Sequence, residues 1–169
     1  SVSATQAVEI TGGYGIASSY VNDQNGNEAS LSSSVTNGNM IVSQGAEYGP
    51  PMFVPWGQEP INFLIAYNEV IVEGESGYAG TYLKNSQNDE AYVQSGFNNG
   101  AAEIMQEISS YPYEGEPVGT ILVHSEQHNN LYGESAYART DLKNSQNEQA
   151  YVQTNVGYGI ATIDHEGYM

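Results

Sequence analysis

Two histidines lie four residues apart in the segment His124–His128, a spacing that on a helix lets both rings bind one metal ion. The surrounding residues are instead typical of a strand, in which a rise of about 3.3 Å per residue separates the two rings by about 13 Å. The acidic segment Asp164–Glu166 supplies further ligand types, but only folding brings them close to other ligands. The histidines therefore do not predict a metal site, and we expect no cofactor.

Carboxylates are the most abundant chemically active groups, with 20 Asp+Glu against 3 Lys+Arg and a formal net charge of −17. The segment Asp23–Glu28 resembles the start of a calcium loop, but it lacks the spaced bidentate glutamate and the flanking helices of an EF-hand. Adventitious Ca²⁺ binding stays open for so acidic a chain. Paired carboxylates are inevitable at this density, and the sequence has no nucleophile elbow or phosphate loop. We expect no enzymatic activity.

The charge also limits the partners of the chain. Nucleic acids and anionic membrane surfaces are both repelled by a net charge of −17. No hydrophobic run approaches the roughly 18–20 residues that span a bilayer. The chain has no cysteine, which excludes disulfides and thiolate metal sites.

One polar phrase is written twice, as TYLKNSQNDEAYVQSG at Thr81–Gly96 and as TDLKNSQNEQAYVQTN at Thr140–Asn155. A weaker third copy, Val8–Gln44, aligns without gaps on Val70–Gln106. The sequence therefore predicts a single domain of three repeats separated by two insertions. The repeats cover about residues 8–44, 70–106 and 129–166, and the insertions about residues 45–69 and 107–128.

Each copy contains short alternating segments separated by turn signals. In the second copy these are Tyr78–Leu83, Glu90–Gln94 and Ala101–Gln106, with an Asn-Gly turn before the last of them. Strands of this length cannot bury an inner face alone, whereas stacked repeats can. The pattern predicts an all-β fold, a β-solenoid or β-helix of three imperfect repeats with two strand-bearing insertions. A β-sandwich made by duplication is the alternative.

The copied polar residues suit side-chain ladders, because equivalent amides in strands about 4.8 Å apart can bond to one another. Stacked tyrosines would follow the same rule. That the copied text only forms good turns stays open as a second interpretation. The candidate ladder and assembly residues are Asn85, Gln87, Asn88, Tyr92, Gln94, Asn144, Gln146, Asn147, Tyr151 and Gln153.

The segment Gln94–Gln106 resembles the curlin repeat of bacterial curli fibres, which has Gln-x-Gly-x-x-Asn-x-Ala followed shortly by Gln. Here Gln94, Gly96, Asn99 and Ala101 fit that pattern, and Gln106 comes one position late. The other copies match in part, and the two insertions depart from the family. The resemblance implies an extracellular β-solenoid that polymerises.

These observations predict a structural subunit of an extracellular filament or of a biofilm or surface matrix, which assembles with copies of itself through strand edges. The candidate docking residues are Val8, Ile10, Phe53 and Trp56, the last two in a proline-rich stretch that is either a packed cap or a docking segment. Amyloid-type stacking and strand exchange both stay open as modes of assembly. The alternative is a carbohydrate-binding or polysaccharide-active secreted β-helix, so a glycan partner also stays open.

Overall fold

The computed structural model describes residues 2–48, 64–112, 121–144 and 146–168. The candidate docking residues Phe53 and Trp56 lie outside these ranges. Within them every regular element is a strand, which confirms the all-β prediction. The strands are β1 Val2–Thr11, β2 Tyr14–Asn22, β3 Glu28–Thr36, β4 Asn39–Tyr48, β5 Leu64–Lys84, β6 Glu90–Pro112, β7 Ile121–Gly133, β8 Ser135–Lys143, β9 Gln149–Val156 and β10 Gly159–Tyr168.

The ten strands form six long, bent strands in a simple antiparallel meander. The six are β1 with β2, β3 with β4, β5, β6, β7 with β8, and β9 with β10. Each bent strand pairs with the next one on both sides of its bend, and every pairing is antiparallel. The sheet is open, because its first and last bent strands do not pair with each other.

The line of bends divides the sheet into two halves that face each other. Half 1 contains β1, β4, residues 64–74 of β5, residues 100–112 of β6, β7 and β10. Half 2 contains β2, β3, residues 76–84 of β5, residues 90–98 of β6, β8 and β9. Side-chain hydrogen bonds join the halves, for example from Thr81 to Gln106 at 3.0 Å. Two apolar clusters, each with members from both halves, form the core between them.

Inward and outward side chains alternate along the strands, as the pleat of a strand requires. In β3, for example, every second residue from Ala29 to Val35 is buried. Small and large inward residues also alternate across the sheet, so that Ala29 lies beside Leu83 and Leu83 lies beside Ala91. The two facing layers therefore fit together closely without large side chains at every position.

The copied phrase forms the hairpin turns at the outer end of half 2. In the second copy the side chain of Asn85 accepts hydrogen bonds from the backbone N–H groups of Gln87 and Asp89, at 2.9 and 3.0 Å. Asn144 makes the same two bonds in the third copy, and Asp23 makes them in the first. The fourth turn residue has a left-handed backbone in all three, with φ of 84°, 66° and 64° at Gly26, Asn88 and Asn147.

The bends also repeat. Asn37 and Asn99 adopt φ of 49° and 46°, and their side-chain amides donate to the carboxylates of Glu75 and Glu134 at 2.6 and 2.9 Å. A glycine follows each asparagine, because a Cβ at Gly100 would lie 1.8 Å from a backbone oxygen of the facing strand.

The structure regroups the strands that the sequence predicts. Two of the three predicted segments of the second copy, Glu90–Gln94 and Ala101–Gln106, belong to the single strand β6. The apolar runs of the predicted insertions extend the long strands instead of forming separate ones, with β5 beginning at Leu64 and β7 at Ile121. The repeating unit is thus a hairpin of two bent strands.

We expect the turn asparagines to contribute unequally to stability. Asn85→Ala removes the acceptor of two backbone N–H groups and also leaves Asp89 and Ser110 without the amide of this buried residue. It should lower the free energy of unfolding by about 2 kcal/mol, and the exposed Asn144→Ala by about 1 kcal/mol. Urea unfolding followed by circular dichroism measures both. The control Gln146→Ala should stay within about 0.5 kcal/mol of the parent, and equal losses in all three would contradict the turn assignment.

Candidate assembly edges and the inner polar row

A row of polar side chains crosses the sheet inside half 1, where an apolar core would be expected. Cross-strand pairing places one member on each bent strand, and four of them are fully or nearly fully buried. This inner polar row consists of Gln6, Gln44, Asn68, Gln106, Gln127 and His165.

The facing strands of half 2 satisfy these amides. Gln106 accepts from the Thr81 hydroxyl at 3.0 Å and donates to the Ala79 carbonyl and the Ser95 hydroxyl, each at 3.2 Å. Asn68 likewise accepts from the Ser33 hydroxyl at 3.1 Å. Buried amides without such partners would cost several kcal/mol each, so the row fixes how the two halves face each other.

Gln127 bonds the row to its last member. It accepts from the Ser95 hydroxyl at 2.7 Å and donates to the Thr140 hydroxyl at 2.8 Å. Its amide nitrogen also lies 3.0 Å from Nδ1 of His165. At the other end of the row, the Gln44 amide lies within hydrogen-bond distance of the Gln6 amide and the Ser19 hydroxyl.

His165 ends the row on β10, the last strand of half 1. Nε2 of its ring lies 2.9 Å from the Thr154 hydroxyl of β9. Burial lowers the pKa of His165 below its usual value of 6.5, and the neighbouring carboxylate of Asp164 opposes that shift. The neutral imidazole, which has one donor and one acceptor nitrogen, is the form that matches this hydrogen-bonding environment.

The structure places the predicted ladder residues elsewhere. Asn85, Asn88, Asn144 and Asn147 shape the hairpin turns, in which Gln87 and Gln146 are exposed. Gln94 and Gln153 point outward from half 2, next to Arg139 on either side. Their ladder and assembly role stays a prediction.

The predicted tyrosine stacks are spaced by one strand within the chain. Tyr92 and Tyr151 lie in one cross-strand row with Asp141 between them, because the antiparallel hairpin inserts a strand between equivalent positions. Tyr82 and Tyr92 are direct neighbours, with ring centroids 6.5 Å apart in an edge-to-face arrangement.

The outward face of half 2 is rich in tyrosine and carries every cation of the chain. Lys84, Arg139 and Lys143 all lie there, and Arg139 bonds to Asp141 and lies 5.6 Å from the ring centroid of Tyr151. Burial, followed by the charges of Glu90 and Glu28, raises the pKa of Tyr82 to about 12. The tyrosines of this face are therefore neutral at ordinary pH.

The outward face of half 1 is acidic. Its exposed acids come from five of the six bent strands and from β10 in particular. They are Glu9, Glu47, Glu69, Glu73, Glu103, Glu107, Asp164 and Glu166. The two outer faces therefore differ strongly in charge.

The sheet ends at open edges, since no described strand pairs with the outer side of β1, β2, β9 or β10. At the C-terminal edge β10 packs mainly against β8, so β9 extends past it. The inward-facing Val152 of β9 is consequently 50% exposed, whereas its counterparts Val93 and Leu31 on inner strands are 0% and 1% exposed. At the N-terminal edge the candidate docking residues Val8 and Ile10 of β1 are half-buried against the core.

Metal chemistry gains no candidate site from the fold. In the described ranges no group of three or more His, Asp or Glu residues is arranged to hold an ion. His128 bonds to Asp164 across β7 and β10, and the side chain of His124 is outside the described part of the structure. No helix among the described residues is long and apolar enough to cross a membrane.

Sequence reasoning missed the inner polar row. Its clearest signal is the alignment of Gln44 with Gln106 between the first two repeats, at one polar position within an otherwise apolar inward face. Asn68 and Gln127 escape that comparison because both fall in the segments that the sequence assigns to insertions. No family model matches the chain, and neither does any curated protein.

We expect His165 to make folding sensitive to pH. Because its folded pKa is lowered, the unfolded chain binds the proton more tightly, and stability is lost as the pH falls below 6.5 towards the folded pKa. This loss can reach at most about 1.4 kcal/mol per pH unit. Urea unfolding between about pH 7.5 and about pH 5.5 measures it in a range where ordinary carboxylates stay ionised.

His165→Gln supplies an amide like the rest of the row and should remove this part of the pH dependence. His128→Gln, at a surface position on the neighbouring strand, is the matched control and should keep it. An unchanged pH profile in His165→Gln would contradict the assignment.

Proposed function

We propose that the chain is a structural subunit of an extracellular filament or surface matrix and that copies of it join through the open strand edges. The observation that carries this proposal is the exposed inward face of β9, with Val152 half-exposed at a position where inner strands bury the equivalent side chain. A core face left open at a sheet edge favours addition of another strand. The partner is then a second copy of the chain.

We also propose that the fold is a solenoid-like repeat stack, with one bent hairpin per repeat, rather than a duplicated sandwich. Equivalent positions recur on every second strand, as Ala17, Ala79 and Ala138 do in one inward row. Each hairpin contacts mainly its neighbours, which is the arrangement in which repeats are added without changing the rest. The resemblance to the curlin repeat supports the same interpretation and an extracellular location.

Assembly along the edges would align the acidic outer faces of half 1 in successive subunits. Repulsion between these faces opposes filament growth and is screened by salt, whose Debye length falls from about 10 Å at 0.1 M to about 3 Å at 1 M. Filament growth should therefore be faster at high salt. Adventitious divalent cations would act in the same direction.

Negative-stain imaging of purified protein tests the filament directly. Val152→Lys places a charge on the open inward face of β9 and should abolish filaments while leaving the monomer folded, since this side chain is half-exposed in the monomer. Gln153→Lys, the next residue along the strand and outward-facing, is the matched control and should still assemble.

A subunit lacking residues 1–12 should also assemble poorly, because it loses β1. Circular dichroism of the truncated monomer separates a lost edge from a lost fold. Persistent monomers of the parent protein at micromolar concentration would refute the filament proposal, and unchanged filaments from both variants would refute the role of the edges.

The tyrosine-rich outer face of half 2 supports binding of a neutral polysaccharide as a second function. Tyr82, Tyr92 and Tyr151 lie in one row across three bent strands, beside the ion pair of Arg139 with Asp141. Aromatic rings pack against the apolar faces of sugars, and neighbouring polar groups can bond to the hydroxyls.

Affinity electrophoresis of the monomer in neutral polysaccharide gels measures this binding. Tyr151→Ala, which removes a ring that is 70% exposed, should weaken binding about tenfold, equivalent to about 1.4 kcal/mol. Tyr132→Ala, on the outer face of half 1, is the control and should bind like the parent. Equal affinities in all three would contradict the glycan function.

A further inference from the structure

The two joints between repeats have the same register. In half 2, Ser32 of the first repeat faces Gly80 of the second, and Gln94 of the second faces Arg139 of the third. Each of these residues moves to its successor by the repeat offset, 62 positions for Ser32 to Gln94 and 59 for Gly80 to Arg139. The register is thus a property of the repeat and not of one particular pair of strands.

The same rule holds independently in half 1. Gln44 faces Asn68 at the first joint, and Gln106 faces Gln127 at the second. Moving each pair by the same offsets puts His165 at the next position on one side and Gln6 at the preceding position on the other. In half 2 the corresponding positions are Gln153 and Ser18.

We infer that a second copy of the chain docks head-to-tail in this register, with β9 and β10 of one subunit antiparallel to β2 and β1 of the next. Gln153 then faces Ser18 of the second copy, and His165 faces Gln6. This inference rests on the proposed filament function and specifies its interface. Because the two edges differ, the contact does not close on itself, and repeated docking gives an open filament.

The packing of the edges fits this occupant. β9 extends past β10, and β1 of a second copy placed beside β10 would cover its inward face, including Val152. The second copy supplies β1 with Val8 and Ile10, which are only half-buried in a single subunit. Each half of the joint thus gains an apolar neighbour.

The inner polar row also continues across the joint. His165 already contacts Gln127 and Thr154 on its own side, and its other neighbour would be the amide of Gln6, a residue that is half-buried in one subunit. The row would then pass from subunit to subunit without an apolar residue interrupting it. A slip of one residue would place these polar side chains against solvent and outward residues against the core.

The bend differs between the inferred joint and the internal ones. The internal joints carry the hydrogen bonds from Asn37 to Glu75 and from Asn99 to Glu134. The corresponding residues at the inferred joint are Tyr158, which is 83% exposed, and Gly13, beside which there is open space for a ring. The joint between subunits therefore has a chemistry of its own at the bend.

Engineered cysteine pairs test the register, since the chain has no cysteine of its own. The double variant Ser18→Cys with Gln153→Cys puts both thiols on the outward face in the inferred register. Two shifted controls combine Ser18→Cys with Tyr151→Cys or with Asn155→Cys, on the same face. Directly opposite residues have Cβ atoms about 4.5–5.5 Å apart and diagonal ones about 7–8 Å apart, whereas a disulfide needs about 3.5–4.5 Å.

Assembled filaments are oxidised and separated on denaturing gels without reductant. The inferred register predicts a ladder of covalent oligomers that is at least about tenfold stronger in the first variant than in either control. Filaments that cross-link best in a shifted control, or in none of the three, would overturn the register and leave the filament proposal standing. Absence of filaments from the parent protein would overturn both.

Discussion

The buried amides between the two halves of the sheet are the constraint on which the rest of the structure depends. Gln106 and Gln127 can be buried only because hydroxyls and carbonyls of the facing strands satisfy them. A slip of one residue in any strand would turn its amide outward and bring a surface side chain into the core. One polar residue per bent strand therefore selects a single register for the whole meander.

Turns and bends hold that register from the two ends of half 2. At one end Asn85 and Asn144 close hairpins of the same geometry, and at the other Asn37 and Asn99 bond to the glutamates of adjacent strands. The distance between turn and bend fixes how many residues each half contains. This explains why the phrase containing LKNSQN is copied closely, since a different turn would shift the inner row.

The sequence is sufficient to predict the strands, the turns and the repeat, because these depend on local alternation and on residues such as Asn85 that act within their own hairpin. It is not sufficient to predict the bending of β5 and β6, since alternation continues through a bend and Gly100 has the same letter whether it ends a strand or folds one. The polar row is harder still. Its members Asn68 and Gln127 meet Gln106 only through cross-strand pairing, and no spacing along the chain records that contact.

An open repeat stack has no internal reason to stop, so the balance at its ends decides whether subunits remain separate. The exposed inward face of β9 favours addition of another strand, whereas the acidic outer face of half 1 repels an aligned copy. The first of these forces acts over contact distance and is insensitive to salt, and the second is screened by it. In the proposed filament, the same charge that keeps single subunits soluble would then set the ionic conditions under which the edges join.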